Sequence, residues 1–157
     1  MLIGQGLVIT PDGKNALCIH ARPNFNITPV QVNQGWTQTH ALSIIPLTGK
    51  DEVVTLLLDN VNSGAANPHG IAMSADGKHL YISLSGTHEI TIIRLSRLKT
   101  LLARTKPEQK KTLHLNLGFL WRDGRTIRRV PSGGLGPRGL ATHPKTGELY
   151  VANYYSN

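Results

Sequence analysis

The feature that most constrains what this chain can fold into is internal repetition. Residues 67–86, NPHGIAMSADGKHLYISLSG, superimpose without a gap on residues 136–155, GPRGLATHPKTGELYVANYY, at an offset of 69. Pro68 falls on Pro137, Gly70 on Gly139 and Tyr81 on Tyr150. A third copy, GLVITPDGKNALCIHA from Gly6, matches the 67–86 copy at an offset of 64. Such a chain is built of similar units that bury their apolar faces by stacking on one another.

Each copy has the same grammar: a glycine, a short apolar run, a tight turn, then an alternating apolar run. The turns contain Asp12-Gly13, Asp76-Gly77 and Thr146-Gly147, and glycine tolerates the positive φ that a tight strand reversal needs. Each copy therefore reads as a β-hairpin, with second strands such as Leu80-Tyr81-Ile82-Ser83-Leu84 rich in β-branched and aromatic residues. Two more strand-like runs follow the first two hairpins: 40–47 and 52–58, then 88–95 and 125–130. Four antiparallel strands per repeat make a propeller blade.

The sequence thus predicts an all-β fold, a partial β-propeller. It comprises two four-stranded antiparallel blades, the first hairpin of a third, and one short helix in an insertion. The boundaries are blade 6–60 with an insertion at 22–39, blade 67–131 with a basic insertion at 96–123, and partial blade 136–157. In the second insertion Leu95, Leu98 and Leu102 share a helical face, Ser96 is the expected N-cap, Pro107 the stop, and 108–111 a polar linker. Propellers close with about four to eight blades, so this chain is expected to be part of a longer protein, and unpaired strand edges to make it poorly soluble or oligomeric on its own.

Charge is concentrated in one place. From Arg94 to Arg129 there are eleven basic residues and two acidic ones, a balance of +9, whereas the rest carries six basic and seven acidic residues, or −1. The overall +8 therefore describes a segment and not a whole surface. Cys18 is the single cysteine, which excludes an intrachain disulfide, a cysteine zinc cluster and covalent c-type haem within these residues. Cys18 itself falls in a strand and reads as a small core residue. No apolar run has the length of a membrane span, and the start lacks a basic n-region, so the protein is expected to be intracellular or to begin further upstream.

The repeats PHGIAMSADGKHLYIS and GPRGLATHPKTGELYVANYYSN resemble YVTN-type β-propeller repeats, and Tyr150-Val151-Ala152-Asn153 departs from that name motif at one position. The stretch from Ala21 to Ile45, ARPNFNITPVQVNQGWTQTHALSII, is similar to a segment interrupting an early blade in bacterial propellers that precede a di-haem, cytochrome-c-peroxidase-like region. The resemblance implies a binding or scaffold module of an extracytoplasmic (periplasmic or surface) protein, partnered by the remaining blades and a redox protein, without catalytic activity of its own. It implies no cofactor in these residues, with haem possible beyond Asn157. Related propellers also include lactonases and amine dehydrogenase subunits, so an enzyme whose site lies in other blades is the alternative.

Candidate ligand or partner residues follow from position. His69 and Arg138 occupy the same loop position before an innermost strand, where loops surround a propeller's channel mouth. His69 is the first choice for a metal, yet its repeat counterparts are Arg138 and Gln5, so the histidines do not converge and no metal site is assigned. A guanidinium at 138 suits an anion or a haem propionate, or else ties neighbouring blades through carbonyl oxygens. Arg22, Gln31, Gln34 and Trp36 form a second candidate surface, Trp36 being a docking aromatic or a cap on the blade core. Asp59 to Gly64 reads as a turn, and Asn26-Ile27-Thr28 as a glycosylation acceptor by formula only.

The basic patch Arg94, Arg97, Lys99, Arg104, Lys110, Lys111, Arg125, Arg128 and Arg129 supports a third reading, binding to an anionic surface or to nucleic acid. Nucleic acid is the weaker of these two, because the segment offers only Phe119 and Trp121 for stacking. No nucleophile elbow, paired-carboxylate site or phosphate-binding glycine pattern accompanies the repeats.

Overall fold

The computed structural model describes residues 3–24, 28–33, 36–49 and 51–156. Gln34 and the Asn26-Ile27 pair lie outside them.

Sheet 1 runs β1 (Ile3–Ile9), β2 (Asn15–Pro23), β3 (Gln38–Pro46) and β4 (Val54–Leu57) in sequential antiparallel order. Sheet 2 repeats this with β5 (Pro68–Met73), β6 (His79–Leu84), β7 (Glu89–Arg94) and β8 (Ile127–Pro131). The hairpin β9 (Pro137–Thr142) and β10 (Leu149–Asn153) forms sheet 3. β1, β5 and β9, the first strand of each sheet, stand side by side. The chain is a partial β-propeller. Its turn glycines adopt the expected conformation, with φ of 66° at Gly13, 67° at Gly77 and 76° at Gly147.

The core lies between sheets 1 and 2. Leu17, Ile19, Leu42 and Leu56 face Leu80, Ile82, Leu84, Ile93 and Ile127, all buried. Each such side chain contributes about 1.5–3 kcal/mol by leaving water. The basic insertion closes this core, because Leu98, Leu113, Phe119 and Leu120 are buried in it.

The seams between sheets repeat as the sequence does. A Cβ at Gly6 would stand 3.2 Å from the carbonyl oxygen of His69, and one at Gly70 would overlap the carbonyl oxygen of Arg138. The repeat glycine is thus the position where the next sheet's backbone comes closest. Thr142 Oγ1 also donates to the Met73 carbonyl at 2.8 Å, joining β9 to β5.

Local expectations are corrected at three places. The insertion helix α2 spans Leu95–Ala103, with Arg94 and not Ser96 at its N-cap and no side-chain cap bond. The reason is that β7 runs straight into it: Arg94 N donates to Thr126 O and Leu95 N to Lys78 O, so Ser96 already lies inside the first turn. Residues 108–111 are not a plain linker, because Pro107 occupies N1 of a single helical turn, α3 (Pro107–Lys110), backed by Gln109 Oε1 accepting from Lys106 N. The 22–39 insertion is shorter than expected. Arg22 pairs with Thr39 and Pro23 with Gln38, so the strands continue outward before the chain leaves the sheet, and α1 (Pro29–Asn33) forms within the excursion.

Candidate functional site

Strand register places His69, Arg138 and Arg22 at the end of the sheets where β1, β5 and β9 begin, and Trp36 lies just before β3 on that side, bonded to Asn24 beyond β2. They do not form one cluster. His69 is half-buried near the start of β5, its carbonyl turned toward Gly6. Arg22, at the end of β2, donates from Nη1 to the His114 carbonyl at 2.8 Å, holding the basic insertion against sheet 1. Gln31 is exposed on α1, its side-chain oxygen accepting from Thr28 N at 2.9 Å. Trp36 is half-buried, its amide bonded to Gln31 O at 2.9 Å and its carbonyl to Asn24 Nδ2 at 3.0 Å. Among the described residues Trp36 is not part of the main core, so it does not cap it.

Arg138 has the most built environment of the four. Its guanidinium carbon lies 3.7 Å from the Tyr154 ring centre and 5.6 Å from that of Tyr155, and Nη2 donates to the Tyr155 hydroxyl at 3.3 Å. Tyr155 is held in turn against Gly136, where a side chain would collide with the ring. Arg138 Nε is buried without a hydrogen-bond partner. The tie between blades runs through the Arg138 carbonyl, to which Ser83 Oγ donates at 3.0 Å, and not through its guanidinium. The side chain remains available as a tyrosine-backed cation.

A buried pair, His40 and Asp59, stands at the same end, with Asp59 opening the 59–64 turn that its sequence announces. Asp59 is 3% exposed, with its Oδ2 accepting from His40 N at 2.6 Å and its Oδ1 from Ala65 N at 2.8 Å. His40 Nδ1 is 3.6 Å from Asp59 Oδ1. Burial works to raise the Asp59 carboxyl, but the His40 imidazole and the amides of Ala65 and His40 outweigh it and hold the carboxyl below the usual range. The pattern Asp-Asn-x-Asn-Ser-Gly did signal a turn, which Asn60 Oδ1 closes by accepting from Asn62 N and Ser63 N. It carried no sign that the first carboxylate would point inward.

The basic patch divides. Arg94, Arg97, Lys99, Arg104, Lys111, Arg125 and Arg128 are exposed, and Lys110 is half-buried. Lys111 pairs with Glu52 at 3.0 Å. Arg129 does not belong to the patch: its side chain is only 6% exposed, donating to Leu58 O, Gly64 O and Ser63 Oγ at 2.8, 2.8 and 3.0 Å. It lies over the Trp121 ring at 5.2 Å and 3.7 Å from Glu89. It therefore pins the link between sheets 1 and 2 onto β8. Arg128 faces water and Arg129 faces in because successive strand residues point to opposite faces.

Among the described residues no three His, Cys, Asp or Glu are placed to hold a metal ion, and no helix is long and apolar enough to cross a membrane. No family model matches the chain. The hydrazine synthase subunit beta of Kuenenia stuttgartiensis is 34% identical over 153 residues, a match covering 98% of this chain and 39% of that protein. The solved structure of Kuenenia stuttgartiensis hydrazine synthase gives a TM-score of 0.85 at 33% identity, covering 98% of this chain and 43% of that one. The chain thus spans well under half the length of the proteins it matches.

Proposed function

We propose that this chain is part of a propeller subunit of a hydrazine-synthase-type complex and acts as a scaffold that positions a redox, haem-bearing partner. The observation that carries the reading is the likeness, over nearly the whole chain, to a protein named as a subunit of that synthase. Its geometry suits the role. The sheet end bearing His69 and the tyrosine-backed Arg138 offers a cation for a carboxylate, a haem propionate included. The outer face of sheet 3, with Gly139, Ala141, Tyr150 and Ala152 exposed, suits a further blade in the complete protein. An extracytoplasmic setting follows from the same reading.

The test is purification of the complete native protein under mild conditions, followed by size-exclusion with absorbance recorded at the haem Soret band. The expected result is co-elution with haem-bearing subunits in fixed ratio, weakened by Arg138→Ala. Elution as a haem-free species on its own would overturn the reading.

A further inference from the structure

Resting on that reading, we propose that an arginine ridge at the opposite end of the sheets docks the acidic face of a partner subunit. Arg94 ends β7 and caps α2, so the ridge begins where the chain has run the length of sheet 2 away from the mouth. Arg97 and the C-cap Arg104, seven residues apart, fall on one face of α2. The 121–126 turn brings Arg122 and Arg125 beside them. Two observations place that turn: Arg94 N donates to Thr126 O at 2.9 Å, and the charge of Arg97 acts on Asp123. All five arginines are exposed, and none forms an ion pair among the described residues.

The charge balance of the ridge selects the occupant. Residues 94–104 and 121–126 hold six basic residues and a single acidic one, Asp123. Lys99 turns away from the ridge, toward Asp12 and the turns of sheet 1. Asp123 is already engaged: Oδ1 accepts from Arg125 N at 3.0 Å and Thr126 N at 2.8 Å, and Oδ2 from Thr126 Oγ1 at 2.8 Å. Glu108, the other acidic residue of the insertion, stands on α3 and pairs with none of the five arginines. The free cations here are all guanidinium groups, whose planar fork takes a carboxylate through two parallel bonds and is more weakly hydrated than an ammonium. Arg122 is held in place over the Phe119 ring, 5.8 Å from its centre. Nucleic acid fits the ridge less well than an acidic protein face, because no ring is presented for a base: Phe119 is 2% exposed and Trp121 lies under Arg129. A contact here, opposite the mouth, fixes the orientation of the chain within a complex.

The test measures binding of a fluorescent peptide of alternating Glu and Ser to the full chain by anisotropy at low ionic strength. Arg97→Gln/Arg125→Gln is expected to weaken it about fivefold with the melting temperature in place. Lys99→Gln/Lys145→Gln removes the same charge elsewhere and should change binding less than about twofold. Equal weakening by the two variants, or none by the first, overturns the ridge. So does tighter binding of a short DNA duplex, or of phosphatidylglycerol vesicles, with the same dependence on Arg97 and Arg125. In the complete native protein Arg97→Lys keeps the charge and adds an amine. Carbodiimide joins amines to carboxylates and leaves guanidinium groups unreacted, so it is expected to link position 97 of this variant to an Asp or Glu of another subunit. A link to Asp123 alone overturns the docking. Loss of ridge binding with haem subunits still co-eluting leaves the scaffold reading standing; ridge binding without any co-eluting subunit strikes that reading instead.

Discussion

The hydroxyl of Ser83, fully buried on β6, donates at 3.0 Å to the carbonyl oxygen of Arg138 at the start of the neighbouring sheet. The same hydroxyl accepts from the Gly70 amide at 2.7 Å. One oxygen thereby satisfies two backbone groups at a seam where Gly70 has no room for a side chain.

Gly70→Ala should destabilise the protein by about 1–3 kcal/mol or more, because the new methyl group forces the Arg138 carbonyl away and strains packed backbone. Ser83→Ala should cost about 1–3 kcal/mol by leaving the Gly70 N–H buried and unpaired. Gly139→Ala is the control when the 157-residue chain is studied by itself: its Cβ would meet only the Ala152 methyl, at 3.3 Å, and the change should fall within about 0.5 kcal/mol. Urea unfolding monitored by circular dichroism gives all three values.

Arg129→Met retains much of the aliphatic volume but leaves the carbonyls of Leu58 and Gly64 without their donor. A loss of about 2–3 kcal/mol is expected, and Arg129→Lys should recover less than half of it, since one ammonium cannot reproduce the fork. Faster proteolysis within residues 58–66 of either variant would locate the damage at the link between sheets. Cleavage unchanged from the parent would contradict the pinning role.

Acid should weaken the fold in two stages. Burial, the larger influence, pushes the His20 imidazole below its usual range against the opposing bond to the Ala21 carbonyl, and Asp59 is held below the carboxylate range. A group depressed in the folded state stabilises above its unfolded value and loses that contribution as pH falls. The His20 part therefore fades from about pH 6.5 downward and the Asp59 part from about pH 4 downward. Asp59→Asn should be about 1–3 kcal/mol less stable at pH 7 and should lose the lower stage of the curve. A parent and variant that differ by the same amount at every pH would refute this assignment.

Burial raises the Cys18 thiol above its ordinary value. Iodoacetamide at neutral pH is expected to label it at least about tenfold more slowly in the native chain than in urea, because the thiolate is the nucleophile. Equal rates would show that β2 is not held in the sheet.

What could be read in advance was whatever depends on local periodicity. Asp76-Gly77 announced its turn because Gly77 supplies the required φ, and Leu80 to Leu84 announced β6 by composition. Properties that depend on which face a residue turns to a distant partner stayed hidden. Arg129 belongs by composition with the surface cations, yet the alternation along β8 sets it opposite Arg128, and its acceptors lie some 65 to 71 positions earlier in the chain. Asp59 looked like any turn aspartate until His40, 19 residues before it, closed over it. The stacking of Tyr154 on Arg138 joins two ends of one hairpin whose turn alone carried the signal.

The contact between a glycine and the next sheet's carbonyl separates two kinds of information within a single residue. At His69 and Arg138 the backbone oxygen sets the spacing of the sheets, while the side chain takes no part in that contact. A lineage can therefore exchange imidazole for guanidinium, or for anything else that suits a new partner, without renegotiating how its blades fit together. The mouth of the propeller is free to diversify because its frame is written in atoms that mutation does not alter.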